Sequence, residues 1–137
     1  MTAADRRRIR ELKHRYCYTV DEGTPEEWAA LFTDDAVFES ARGVTYRGRD
    51  AILDYKRQDS PADDWIASAH MVSNPVIEVD GGTASGRWYY VWLYENDVNE
   101  IGWGQGRYDD EYRETDVGWR LSAMTITHRI NAGFGYE

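Results

Sequence analysis

The chain has 137 residues, 42% hydrophobic and 14% aromatic, and a net charge of −9. That length suits one domain with a single core, the aromatic content argues for a folded globule over a disordered tail, and the acidity excludes the basic footprint of a nucleic-acid binder. The longest strongly apolar run, "WYYVWLY" (Trp88 to Tyr94), falls far short of the ~20 residues of a membrane-spanning helix.

The opening "MTAADRRRIREL" puts charges where a signal peptide has its apolar centre, and the lone Cys17 cannot form an internal disulfide. Both features lead us to expect a cytoplasmic protein. Residues 1–15 hold six basic and two acidic side chains, net +4 against −9 for the whole chain, which leaves −13 elsewhere. Such a cluster is expected to be the solvated face of a first helix rather than a contact with a partner or an anionic surface. Fourteen of the sixteen basic residues are Arg. An acid-rich, lysine-poor composition resembles proteins of salt-loving cytoplasms, and a GC-rich genome would produce the same bias.

The first helix is predicted from Asp5, as N-cap, to about Val20, with Ile9, Leu12, Tyr16 and Val20 forming one buried stripe. "DEGTP" stops it. Thr24, Pro25 and Glu27 then make a capping box for a short helix, "PEEWAALF", which ends in "TDD". "AVFES" reads as a short strand, "YRGRDAILDYKRQ" as a third helix from near Arg49, and "DSPADD" as a loop. From Trp65 onward the period becomes two. Four long β segments, about 66–79, 83–96, 100–115 and 118–131, are separated by "DGG", "NDVN" and "TDVG". Helices first and a strand meander last give an α+β layout, with the helices packed on one curved antiparallel sheet.

Two strands carry further information. In "RWYYVWLY" both faces are apolar, Trp88, Tyr90, Trp92 and Tyr94 on one and Tyr89, Val91 and Leu93 on the other. One face meets the helices, and the other is expected to meet a second subunit, in a homodimer or higher oligomer. Gly102, Gly104 and Gly106 share one face of the next strand, which calls for sheet curvature, close approach of another backbone, or room for a ligand.

The motif search is mainly eliminative. His14, His70 and His128 lack HxH or HExxH spacing, no glycine-rich loop lies between a strand and a helix, and no GxSxG elbow is present. Acid–base chemistry with neither metal nor cofactor is what remains. His14 falls on the outer side of its helix. His128 shares a strand face with Met124 and Ile126 and reads as a core or interface histidine. His70 shares a face with Ser68 and Asn74, just before a bulge or edge signalled by Pro75. Taken alone, such a histidine is more often structural than catalytic. Asp21 closes the first helix, five residues after Tyr16 and about 140° around a continuing helix, so the two converge only if the helix stops near Val20.

The succession "RYCYTVDEGTPEEWAALFTDDAVFES", "YRGRDAI" and "AHMVSNPVIEVDGGTASGRWYYVW" resembles the SnoaL-like branch of the nuclear-transport-factor-2-like superfamily, over about residues 5–130 of a single domain, 1–137. The resemblance implies a cone-shaped, strongly curved antiparallel sheet wrapped around N-terminal helices, a cystatin-like α+β barrel with a deep pocket, in a homodimer or homotrimer. Its members include scytalone dehydratase, bile-acid 7α-dehydratase, polyketide cyclases, ketosteroid-isomerase-like enzymes and non-catalytic binding proteins. Tyr16, Asp21 and His70 match the catalytic positions of the two dehydratases, and Arg129 matches an arginine of the bile-acid enzyme. The second pocket histidine of scytalone dehydratase has no counterpart in "RWYYVW". The implied activity is a cofactor-independent lyase or isomerase acting on a hydrophobic cyclic hydroxy-ketone or enone of steroid or polyketide size. A binding module for a small hydrophobic ligand and a polyketide cyclase are the alternatives.

Overall fold

The computed structural model of the protein describes residues 2–58 and 66–132; the "DSPADD" loop therefore lies outside the described residues. Helix α1 spans Thr2–Glu22 and buries Ile9, Leu12 and Tyr16 as the spacing requires. It starts before Asp5, which sits in the first turn and accepts the Trp119 indole N–H at 3.2 Å instead of capping. It also runs past Val20, so Asp21 belongs to its last turn.

Thr24 caps α2 (Pro25–Ala29) as a full capping box, with Glu27 N–H donating to Thr24 Oγ1 and Thr24 N–H to Glu27 Oε1, both at 3.1 Å. This helix is a single turn. The chain then enters strand β1 (Phe32–Glu39) earlier than "AVFES" suggested, with "TDD" inside the strand at a register shift between Phe32 and Val37. Arg49 holds that irregularity by pairing with Asp34 and donating to the Phe32 carbonyl at 2.6 Å. A short strand, β2 (Thr45–Arg47), precedes α3 (Arg49–Gln58).

The four long strands match the turn chemistry closely: β3 (Ala67–Asp80), β4 (Thr83–Glu95), β5 (Ile101–Thr115) and β6 (Gly118–Ala132). They form an antiparallel meander within one curved six-stranded sheet of order β2-β1-β6-β5-β4-β3. The sheet is mixed, not wholly antiparallel, because β1 pairs in parallel with β6. Parallel neighbours need a long crossover, and here α3 and the whole meander supply it. The bulge read from Pro75 is present on edge strand β3, where the register shifts between Ser73 and Val76 and Asn74 takes a φ of 57°.

Helix α1 packs across β3 and β6 on the concave side. There Trp88, Tyr90, Trp92 and Tyr94 are buried, while Tyr89, Val91 and Leu93 keep 41%, 36% and 39% exposure on the convex side. The three β5 glycines face the buried rings of their cross-strand partners. A Cβ on Gly102 would lie 2.3 Å from the Tyr94 ring, on Gly104 2.9 Å from Trp92, and on Gly106 2.7 Å from Tyr90. Close approach is thus the reason for these glycines: aromatic rings approach Gly102 and Gly104, and at Gly106 the Thr127 carbonyl would lie nearer still, 2.1 Å from a Cβ.

Candidate active site

Ser68 and His70 lie two residues apart on β3, so both side chains stand on the inner face, opposite Tyr94 and Trp92. Asp21 reaches them from the last turn of α1. Its Oδ2 accepts the backbone N–H of His70 at 2.7 Å, and its Oδ1 accepts the Ser68 hydroxyl at 2.8 Å and the His70 Nδ1 proton at 2.6 Å. The negative end of the helix dipole disfavours a carboxylate here by roughly 0.3–1 kcal/mol. Hydrogen bonds to a charged group contribute about 1.5–3 kcal/mol each, so three of them outweigh it. Because a carboxylate only accepts, the neutral form of the imidazole carries its proton on Nδ1 and leaves the Nε2 lone pair free.

The His70 ring forms part of the wall of a cavity of about 150 Å³, which Tyr16, Trp28, Tyr90, Trp92, Tyr108 and His128 also line. Asp21 does not line it and stands behind His70. Tyr16 and Asp21 therefore do not meet at one point, since the helix continues between them. Tyr16 lines the space itself, and Asp21 reaches it only through the imidazole it holds. Burial pushes the Tyr16 and Tyr108 hydroxyls well above the ordinary phenol range, so both stay protonated, with Tyr108 donating to Tyr16. The Trp28 indole N–H is buried with no acceptor among the described residues, a donor that a ligand oxygen or water would satisfy.

A cavity near 150 Å³ is on the scale of one benzene ring. Trp28, Phe38, Tyr55, Tyr90 and Trp92 close in on this space, which is smaller than the steroid-sized substrate expected from the sequence. It is not plugged by indoles either. Trp88 is buried away from it, bonded to Tyr112, and Trp103 stands on the convex side with 40% exposure.

His128 was read as a core or interface histidine, yet it lines the cavity, with its Nδ1 against the Tyr90 hydroxyl. Trp92 lies between the two imidazoles, its ring 6.0 Å from His70 and 5.6 Å from His128, inclined by 23° to each. Burial, then the nearby His70, pushes the His128 pKa down. Arg129 does not join the site. Neighbouring strand residues point to opposite faces, so with His128 inside, Arg129 lies exposed outside, donating to Gln105 Oε1 at 3.2 Å and stacking on Tyr89.

One buried charge was missed. Lys13 is fully buried, its Nζ 2.9 Å from Asp110 Oδ2, an ion pair with both side chains at 0% exposure. The signal was present, since Lys13 lies four residues after Ile9 and three before Tyr16, on the apolar stripe itself. The basic cluster led it to be grouped with the solvated face, where Arg6, Arg7, Arg8 and Arg15 do lie. Cys17, beside it on the helix, is buried and its thiol is pushed up to about 11, which makes it a poor nucleophile. Among the described residues no group of three or more His, Cys, Asp or Glu side chains converges as a metal-ligand set.

The family model described as a SnoaL-like domain matches residues 1–125. The chain belongs to the SnoaL-like family. Similar solved structures extend this. A protein of unknown function from Mycobacterium tuberculosis is 30% identical over 93% of this SnoaL-like chain and 73% of that one, with a TM-score of 0.82. A candidate scytalone dehydratase from Novosphingobium aromaticivorans shares 22% identity over 99% and 91% of the two chains at a TM-score of 0.89. A hexachlorocyclohexane dehydrochlorinase, LinA-type3 from Novosphingobium barchaimii, shares 21% over 97% and 92% at 0.84. The last two likenesses show the fold. No curated protein matches the SnoaL-like chain.

Proposed function

We propose that this SnoaL-like protein is a cofactor-independent lyase or isomerase that acts by general acid–base catalysis on a compact, single-ring hydroxy-ketone or enone. The observation that carries the reading is the Asp21–His70 contact of 2.6 Å, in a side-chain pair only 12% and 14% exposed, with the imidazole in the wall of an aromatic cavity. A plain binding module has no need of an imidazole whose tautomer is set by a buried carboxylate.

In this mechanism Nε2 of His70 takes a proton from the carbon next to a carbonyl. Tyr16 donates a hydrogen bond to the carbonyl oxygen as it becomes enolate-like. For dehydration the enolate expels the β-hydroxyl, which leaves as water with the proton carried on Nε2. For isomerisation the same proton returns to a different carbon. General acid–base help contributes about 10²–10⁴-fold, enough for a C–H already acidified by a carbonyl.

The test is elimination from β-hydroxycyclohexanone and related single-ring hydroxy-ketones, followed by enone absorbance, with wild type, His70→Ala and Asp21→Asn. The expected result is turnover by wild type and loss of at least a hundredfold in both variants. Equal rates in all three would end the proposal.

A further inference from the structure

We infer that Lys13 is a positioning residue that backs the Tyr16 and Tyr108 phenols as a binding site for a single-ring oxyanion, a phenolate or an enolate. The inference rests on the proposed role of Tyr16 as hydrogen-bond donor and adds Tyr108 and the ammonium behind both.

Lys13 Nζ lies 3.7 Å from the centre of the Tyr108 ring and 4.4 Å from that of Tyr16, and both rings line the cavity. The two rings pack edge to face, 5.4 Å apart. An ammonium is drawn to aromatic faces in a way that a neutral amine is not. Burial pushes the Lys13 pKa down and the Asp110 pKa up, and their 2.9 Å contact opposes both shifts. Tyr112 donates to Asp110 Oδ2 at 2.6 Å, and Trp88 Nε1 donates to Tyr112 at 3.0 Å.

The pair is also oriented. Its positive end touches the cavity-lining rings, while its negative end meets Tyr112, to which Trp88 donates in turn, and neither of these two lines the cavity. Stability alone is a weak reason for it, since apolar residues of similar volume commonly replace a buried ion pair without loss. The Tyr108 hydroxyl donates to that of Tyr16, and a positive charge held against both rings strengthens donation from Tyr16 to an oxygen whose negative charge grows.

The probe is 4-nitrophenol, a single ring whose phenol and phenolate forms differ in absorbance. Wild type is expected to bind the phenolate in preference to the phenol. The double variant Lys13→Met/Asp110→Asn removes both charges and leaves Tyr112 an amide oxygen to donate to. It should lower phenolate affinity about tenfold while phenol affinity holds. An unchanged preference in the folded variant, or no phenolate binding by wild type, overturns the inference.

If the variant fails to fold, the unaltered chain still decides. Lys13 and Lys56 are the only lysines in the sequence, so ¹⁵N-lysine labelling gives two side-chain signals, and Lys56→Arg, which leaves the buried pair intact, assigns them. Nitrophenolate should shift the Lys13 signal and the non-ionisable 4-nitroanisole should not; equal responses overturn the inference. His70→Ala separates the two readings, because it lacks the proposed base yet should keep the phenolate preference. Loss of that preference there would credit the imidazole and overturn the role given to Lys13.

Discussion

The Asp21→Asn variant gives a sharp test of the site because the amide is nearly the size of the carboxylate and reverses one hydrogen bond. Asp21 accepts from three donors, the His70 backbone N–H, the Ser68 hydroxyl and His70 Nδ1–H. An asparagine can keep its oxygen on the backbone N–H, 2.7 Å away, only by turning its NH₂ toward Nδ1. The amide then donates to Nδ1, the ring proton moves to Nε2, and the lone pair facing the cavity is gone. Inverting a catalytic imidazole in this way has lowered kcat by about 10⁴ in a serine protease, and a loss of ~10²–10⁴ is expected here. Exchanging a charge-assisted bond for a neutral one should also lower stability by about 1–2 kcal/mol. The assay needs no substrate. The chain has three histidines, so ¹⁵N-histidine NMR resolves each ring's tautomer. Wild type should show His70 as the Nδ1–H form and the variant as the Nε2–H form. An Nε2–H tautomer in wild type, or no change on substitution, would refute the reasoning.

Three further outcomes are expected. Gly102→Ala places a Cβ 2.3 Å from the Tyr94 ring and should cost roughly 1–3 kcal/mol in urea unfolding; a neutral result would mean the ring moves freely. The His128 pKa is pushed down by burial and by His70, so from about pH 6.5 downward the unfolded chain takes up a proton that the folded chain resists. Stability should therefore fall as pH drops from about 6.5 toward the folded pKa, and His128→Gln should flatten that part of the urea-midpoint profile. The convex face exposes Met71, Tyr89, Val91 and Leu93 side by side on β3 and β4, so sedimentation should show a homodimer or homotrimer that Leu93→Glu shifts toward monomer. A monomeric wild type would count against any subunit on that face.

Signals with a range of a few residues were legible in the sequence. The β segments 66–79, 83–96, 100–115 and 118–131 lie within a residue or so of the observed strands, because alternation and turn residues act within one strand and its neighbour. The Thr24 capping box and the Pro75 bulge were readable for the same reason. The trio Tyr16, Asp21 and His70 came from the order of motifs and a resemblance, not from spacing, since nothing local ties a helix end to a strand 49 residues away.

The tertiary structure alone decided the rest. It placed His128 in the cavity and Arg129 outside, turned Asp21 to the back of the imidazole, and reduced the space to about 150 Å³. It also paired Lys13 with Asp110, a residue 97 positions along the chain (110 less 13) whose charge makes burial of a lysine tolerable. Periodicity tells which face a side chain joins. Which partner waits on that face, and how much room remains between them, depends on packing across the whole sheet.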